Sequence, residues 1–191
     1  MVGNVVDALI NNDVIDRDDR ELYEYGLEQG ILMLINLFTT IIIGICFGMV
    51  IESIVFMLAY IPLRTYAGGY HAKNQWRCYF FSIAMMIVAL LGIKGIDLFS
   101  IVSVVLIFIS YVIIYTLSPV EDCNKLLNEK EKVIYKKKSR RILIIEFVVM
   151  LILMSFEQYV IASAIVIAQV SVGIMIVLGY KKEMSDDEVY R

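Results

Sequence analysis

The stretch Arg64-Thr-Tyr-Ala-Gly-Gly-Tyr-His-Ala-Lys-Asn-Gln-Trp-Arg-Cys78 carries the chain's single histidine, His71, and one of its three cysteines, Cys78. A thiol becomes a strong nucleophile only once it has lost its proton, and an imidazole within reach is the common way to remove it. Gly68 and Gly69 precede the histidine, so the backbone there can bend sharply or approach a ligand closely. A Cys and a His seven residues apart say little by themselves. Lying in a polar interval between two long apolar runs, with no other imidazole in the chain, they form the leading candidate for chemistry. One histidine and scattered thiols do not make a zinc site, and no metal or other cofactor is expected. Three dispersed cysteines (Cys46, Cys78 and Cys123) do not make a disulfide framework either.

The elements that must position this stretch are membrane helices. Of 191 residues, 60% are hydrophobic and 19% charged, and the mean hydropathy is +0.76. A soluble domain is closer to half apolar and a quarter charged. The first apolar run follows a polar, acidic N-terminus and far outlasts a signal-peptide core, so no signal peptide is expected. Residues 31–63 contain one charge, Glu52. As a single helix they would reach about 50 Å, too long for a hydrocarbon core of about 30 Å. A helical hairpin turning near Gly48–Glu52 fits better, with Pro62 kinking or ending its second arm. Further apolar runs cover about 78–95, 99–117, 142–157 and 159–179. The pattern predicts an all-α, polytopic membrane bundle of about six transmembrane helices, organised as one membrane domain over 1–191. Its polar parts are 1–28, with short surface helices (one capped by Asp16), the interfacial segment 64–77, the basic loop 119–141 and the tail 181–191.

Charge sets the orientation. With six spans, every lysine and arginine but Lys94, out of 17, falls on one side of the membrane. The positive-inside rule then places both termini, the histidine–cysteine segment and the basic loop in the cytosol, in a multi-pass protein of the cell membrane. Were 31–63 one steeply tilted span, the N-terminus would change sides and the segment would not. The run Lys132-Val-Ile-Tyr-Lys-Lys-Lys-Ser-Arg-Arg141 directly precedes an apolar span. It reads as an anchor at a lipid surface, not as a nucleic-acid site.

Plainer readings stand beside these. Cys78 could be an inert thiol at the start of a membrane helix, and His71 an interfacial hydrogen-bonding residue. Arg64 and Trp76 could be interface anchors. Glu146 lies inside a span, where an ionisable group needs a partner or a function; it could instead snorkel toward Lys138, Arg140 or Arg141. Cys46 reads as a small buried hydrophobe, and Cys123 as a bystander.

The residues Arg64, Gly68-Gly69-Tyr70-His71-Ala72 and Cys78, followed by Leu117-Ser-Pro-Val-Glu121 and Asn124-Lys125 before a basic stretch, resemble the accessory gene regulator B (AgrB) family along essentially the whole chain. The resemblance implies a membrane-embedded cysteine endopeptidase of Gram-positive bacteria that processes a quorum-sensing propeptide. It implies that His71 and Cys78 are catalytic, and that Arg64 and Gly69 are functionally important. The expected partners are a propeptide with an amphipathic N-terminal segment and the lipid bilayer, with no nucleic acid. Cys78 would attack a carbonyl near the substrate's C-terminal boundary, and an internal cysteine or serine of the substrate would take over the acyl group to close a ring. Backbone N–H groups after Gly68-Gly69 are the first candidates for stabilising the oxyanion, and Lys136, Lys137 and Lys138 for an acidic part of the substrate. The competing reading is a non-enzymatic peptide-binding or export protein, with Asn36, Glu146 and Gln169 lining a path.

Geometry adds one requirement. On a continuous helix, positions seven apart are separated by about 10.5 Å along the axis, beyond hydrogen-bond reach. A catalytic pair within one chain therefore needs 68–78 to be bent. Catalysis across a homodimer is the alternative if it is straight.

Overall fold

In hydrocarbon, a backbone can satisfy its own N–H and C=O groups only as helices or as a closed barrel. This chain takes the helical solution. The computed structural model describes residues 2–12, 14–70, 75–121 and 127–189. Among them run seven α-helices: α1 (Val2–Asn11), α2 (Arg20–Phe47), α3 (Val50–Ala67), α4 (Gln75–Gly95), α5 (Ile101–Leu117), α6 (Glu129–Ser155) and α7 (Tyr159–Val189). The stretches Arg17–Phe47, Val50–Ala67, Trp76–Gly95 and Tyr159–Lys181 are long and apolar enough to cross a membrane, and α5 is a shorter apolar helix. The molecule is a helical membrane bundle.

The hairpin predicted within 31–63 is present: α2 ends at Phe47, the chain turns through Gly48 and Met49, and α3 begins at Val50. Three boundaries differ from the sequence pattern. The N-terminal polar region does not end near 28, because α2 runs unbroken from Arg20 into the apolar stretch. Asp16 precedes only a short 3-10 turn, Arg17–Asp19, and makes no capping hydrogen bond. Arg20 instead ties α1 to α2, through Asp7 at 3.0 Å and Glu24 at 2.9 Å. Pro62 does not end α3, which continues to Ala67 and so makes Arg64 helical. From Glu129 onward the basic stretch is not a loop but the first turns of α6. Asn128 and Glu131 start that helix with a reciprocal capping box, each accepting the other's backbone N–H at 2.9 Å.

The core is built on α7. Of its most apolar window 61% is buried inside the bundle, against 11% for α2, and α7 packs against α3, α4, α5 and α6. Its contact face is rich in small residues, with Ala162, Ser163, Ala164 and Ala168 all buried. Without a hydrophobic force between helices in lipid, small residues are what allow the backbones to pack closely. Leu63, Ala67, Ile114, Val120, Leu143, Val172 and Ile176 form a second cluster. That cluster lies directly beneath the residues singled out by the sequence.

Candidate active site

The helix α3 stops where two glycines follow. Gly68 has φ 73° and ψ −155°, and Gly69 has φ 115°, backbone that side-chain-bearing residues rarely adopt. Space enforces the same choice. A Cβ on Gly68 would lie 1.9 Å from the Val120 carbonyl oxygen, and one on Gly69 2.7 Å from that of Met175. The segment is threaded between the turn after α5 and the body of α7. Gly69 N–H donates to Val120 O at 3.3 Å, Val120 N–H to Ala67 O at 3.0 Å, and Tyr70 N–H to Met175 O at 2.9 Å. Arg64, one turn from the end of α3, folds over this segment, and its Nη2 donates to the Tyr70 carbonyl. Its Nη1 is buried and has no hydrogen-bond partner among the described residues.

Helix α4 begins at Gln75, which places Cys78 in its first turn. The bend required between 68 and 78 therefore exists, since α3 has ended and α4 has not begun. Cys78 is a free, half-buried thiol, and its carbonyl accepts from Ser82 Oγ at 3.0 Å. The first turn of a helix offers free backbone N–H groups and the positive end of the helix dipole, the setting in which reactive thiols are commonly found. The Tyr70 ring lies 6.4 Å from that of Phe81, three residues after Cys78. Residue 70 is thus brought to the face of α4 that begins with the thiol. His71 lies outside the described residues, as do Cys123 and Asn124.

Two cavities adjoin the segment. One, about 370 Å³, is lined by Tyr60, Arg64, Gly68, Gly69, Val120 and Tyr135 among others. The other, about 660 Å³ and mostly apolar, runs between α2, α3 and α4. Tyr60, Ile61 and Thr65 line both. Tyr60 lies one helical turn before Arg64, and its hydroxyl faces the guanidinium. Sequence reasoning passed over Tyr60 and Gly179. Of these only Gly179 carried a signal, as a glycine near the end of an apolar run. A Cβ there would sit 2.6 Å from the Tyr70 nitrogen.

The remaining sequence candidates separate into two places. Lys136, Lys137 and Lys138 are exposed along α6. Lys138 Nζ lies 4.6 Å above the Tyr66 ring and 3.3 Å from its hydroxyl, and Tyr66 meets Tyr135 edge-on at 5.3 Å. The lysine row therefore borders the smaller cavity. Lys132 is bound to Glu121 at 2.9 Å and Glu129 at 3.1 Å, and these carboxylates, Glu121 first, hold its ammonium to higher pH than an ordinary lysine. Glu146 is elsewhere. It does not snorkel: Arg140 takes the Tyr115 carbonyl at 3.0 Å and Lys138 takes Tyr66. Glu146 is buried between α6 and α7, where its Oε2 accepts from Gln169 Nε2 at 3.2 Å. Asn36 lines the large apolar cavity, so the three polar residues suggested for one transport path do not share one.

Of the backbone N–H groups after Gly68-Gly69, that of Tyr70 donates to Met175 O; those of residues 71–74 lie outside the described residues. Among the described residues lining the smaller cavity, Arg64 Nη1 is the buried donor that lacks an acceptor.

Comparison with known proteins gives a consistent picture. The family model described as Accessory gene regulator B matches residues 3–177. A putative AgrB-like protein 2 of Clostridium perfringens is 29% identical over 138 residues, which are 68% of this chain and 64% of that one. Protein FsrB of Enterococcus faecalis is 26% identical over 193 aligned residues, 97% of this chain and 78% of that one. Accessory gene regulator protein B of Staphylococcus carnosus is 29% identical over 115 residues, 59% of each chain. The chain thus spans just under two thirds of the length of the clostridial relative. No solved structure matches it.

Proposed function

The chain belongs to the accessory gene regulator B family, and from that premise we propose that it is a membrane-embedded cysteine endopeptidase that processes a quorum-sensing propeptide. Cys78 is the nucleophile and His71 its base. The observation that carries the reading is the clamp around Tyr70. Two backbone ties, the Arg64 side chain and the Phe81 ring hold the residue before His71 against the helix whose first turn carries Cys78. Arrangement of a base beside a nucleophile by a rigid scaffold is what general-base activation of a thiol requires.

In the reaction, His71 takes the Cys78 proton, and the thiolate sulfur bonds to the carbonyl carbon near the propeptide's C-terminal boundary. The carbonyl electron pair moves onto oxygen, and Arg64 Nη1 is the donor for that charge. When the C–N bond breaks, the imidazolium returns its proton to the leaving amine and a thioester remains on Cys78. An internal cysteine or serine of the substrate then attacks the thioester, closing a thiolactone or lactone and restoring the thiol. A low-water site favours this transfer over hydrolysis. Six crossings with cytosolic termini, a cytosolic active site and a single membrane domain complete the proposal; the exposed lysines of α6 meet the acidic side of the substrate.

The test is Cys78→Ala in the full chain, reconstituted in lipid and given a synthetic propeptide with an amphipathic start, a central Cys or Ser and an acidic end. Cleavage is expected to disappear, and to persist in Cys46→Ala, whose thiol faces outward from α2. Normal processing by Cys78→Ala overturns the mechanism.

A further inference from the structure

The cavity between α2, α3 and α4 has features that packing within this chain leaves unused. Four of the chain's ten methionines line it: Met33, Met57, Met85 and Met86. Methionine is flexible and polarisable, and it recurs on surfaces that receive apolar side chains of varied shape. On the α2 wall, Gly26 and Gly30 are one turn apart, and a Cβ on either meets nothing within 4 Å. Small residues at this spacing let a second helix approach closely within a membrane. Among the described residues, no helix does so.

Asn36 lies on the same wall, near the middle of α2, and has no hydrogen-bond partner among the described residues. An amide in hydrocarbon needs a partner. A peptide helix can supply one, whereas a lipid acyl chain has none to offer. The cavity also leads to the thiol. Ser82 and Met85, four and seven residues after Cys78, both line it, and on α4 these positions share a face with Cys78. Tyr60, Ile61 and Thr65 join it to the Arg64 pocket.

We propose that this groove seats an apolar helical segment of the peptide whose bond Cys78 attacks, so that substrate selection is made within the membrane, on α2 and α3, before the scissile bond reaches the thiol. The inference rests on the peptidase reading. Apolar side chains at helical spacing enter among the methionines, the peptide backbone crosses Gly26 and Gly30, and a polar side chain of the peptide meets Asn36. This is groove recognition of an amphipathic helix carried out inside a bilayer.

Gly30→Leu directs a side chain into the groove, since a Cβ there meets nothing within 4 Å. The full chain in lipid nanodiscs is given two substrates: a synthetic propeptide with an amphipathic start, a central Cys or Ser and an acidic end, and the same peptide shortened to the residues around the cleaved bond. For the full propeptide, Gly30→Leu is expected to raise KM by at least about tenfold, with little change in kcat. Cleavage of the short peptide should not change. In parallel, a photo-crosslinking residue at Met57 in the Cys78→Ala chain should capture the propeptide's apolar segment, and unlabelled propeptide should compete for capture. Equal effects on both substrates, or crosslinks confined to lipid or to a second copy of the chain, overturn the groove assignment. If the unaltered chain cleaves neither substrate, the peptidase reading fails, and the crosslink alone still decides who occupies the groove.

Discussion

Replacing Gly68 with alanine tests the backbone clamp directly. The new methyl carbon would lie 1.9 Å from the Val120 carbonyl oxygen and 2.9 Å from its carbon, so one of the two strands of chain must move by more than an ångström. The backbone at Gly68 is also one that a Cβ disfavours, at a cost of about 1–3 kcal/mol. Separation of the strands weakens the Gly69–Val120 and Val120–Ala67 hydrogen bonds, each worth about 1 kcal/mol. Together these give a destabilisation of about 3–5 kcal/mol, relieved only if residues 68–70 shift. A shift of about 1 Å in a catalytic group lowers the rate by about 10²-fold. The assay is single-turnover cleavage of the propeptide by the full chain in lipid, with thermal unfolding measured on the same samples. Gly95→Ala, which meets no neighbour, is the control and should leave both readouts near those of the unaltered chain. If Gly68→Ala cleaves at the unaltered rate and unfolds at the unaltered temperature, the clamp is not what positions the site.

Three further outcomes are expected. Gln169→Leu removes the hydrogen-bond partner of the buried Glu146 carboxyl and should lower stability by about 1–3 kcal/mol, measured by unfolding in detergent; a variant as stable as the original would mean that the pair is not needed in the bundle. Substituting Lys136 and Lys137 together by Gln should weaken processing, and added salt should mimic the loss, because exposed charges are screened within about 8–10 Å; unchanged KM and unchanged salt response would leave these lysines a role in orientation only. For sidedness, a cysteine at Lys94 or Gln158 should react with reagents confined to the outside and one at Lys137 should not. Ser139 is unsuitable as that inner probe because it is fully buried against Ser118, with the hydroxyls 2.9 Å apart.

Hydropathy made the bundle legible because a run of apolar residues must become helix in lipid, and Gly48 marked the hairpin because a turn needs it. The double glycine was equally readable, as was the break it makes in the helical path ahead of His71. What hydropathy could not convey was what the bend leans on. Val120 and Met175 contribute backbone carbonyls, which any residue possesses, and so leave no mark in the sequence. Of the two readings of Pro62, an end to the helix fails: in a helix wedged against α7, packing outweighs the single hydrogen bond that proline forfeits. The helical character of Lys132–Arg141 was masked by charge, although the Asn128–Glu131 pair was a visible start signal. Glu146 looked like a surface-seeking acid because its partner, Gln169, lies 23 positions away on another helix.

The tie between Tyr70 and Met175 also bears on when the protein becomes competent during its synthesis. The two ends of that hydrogen bond are made more than a hundred residues apart, and the later end belongs to α7, the helix around which α3, α4, α5 and α6 gather. A ribosome-bound chain that has inserted α2 to α6 already carries the histidine and the thiol, yet it has no central helix and lacks the Met175 tie to residue 70. On the peptidase reading, such an unfinished chain should be inert toward peptides emerging at the same membrane, with activity expected only as α7 enters the bundle.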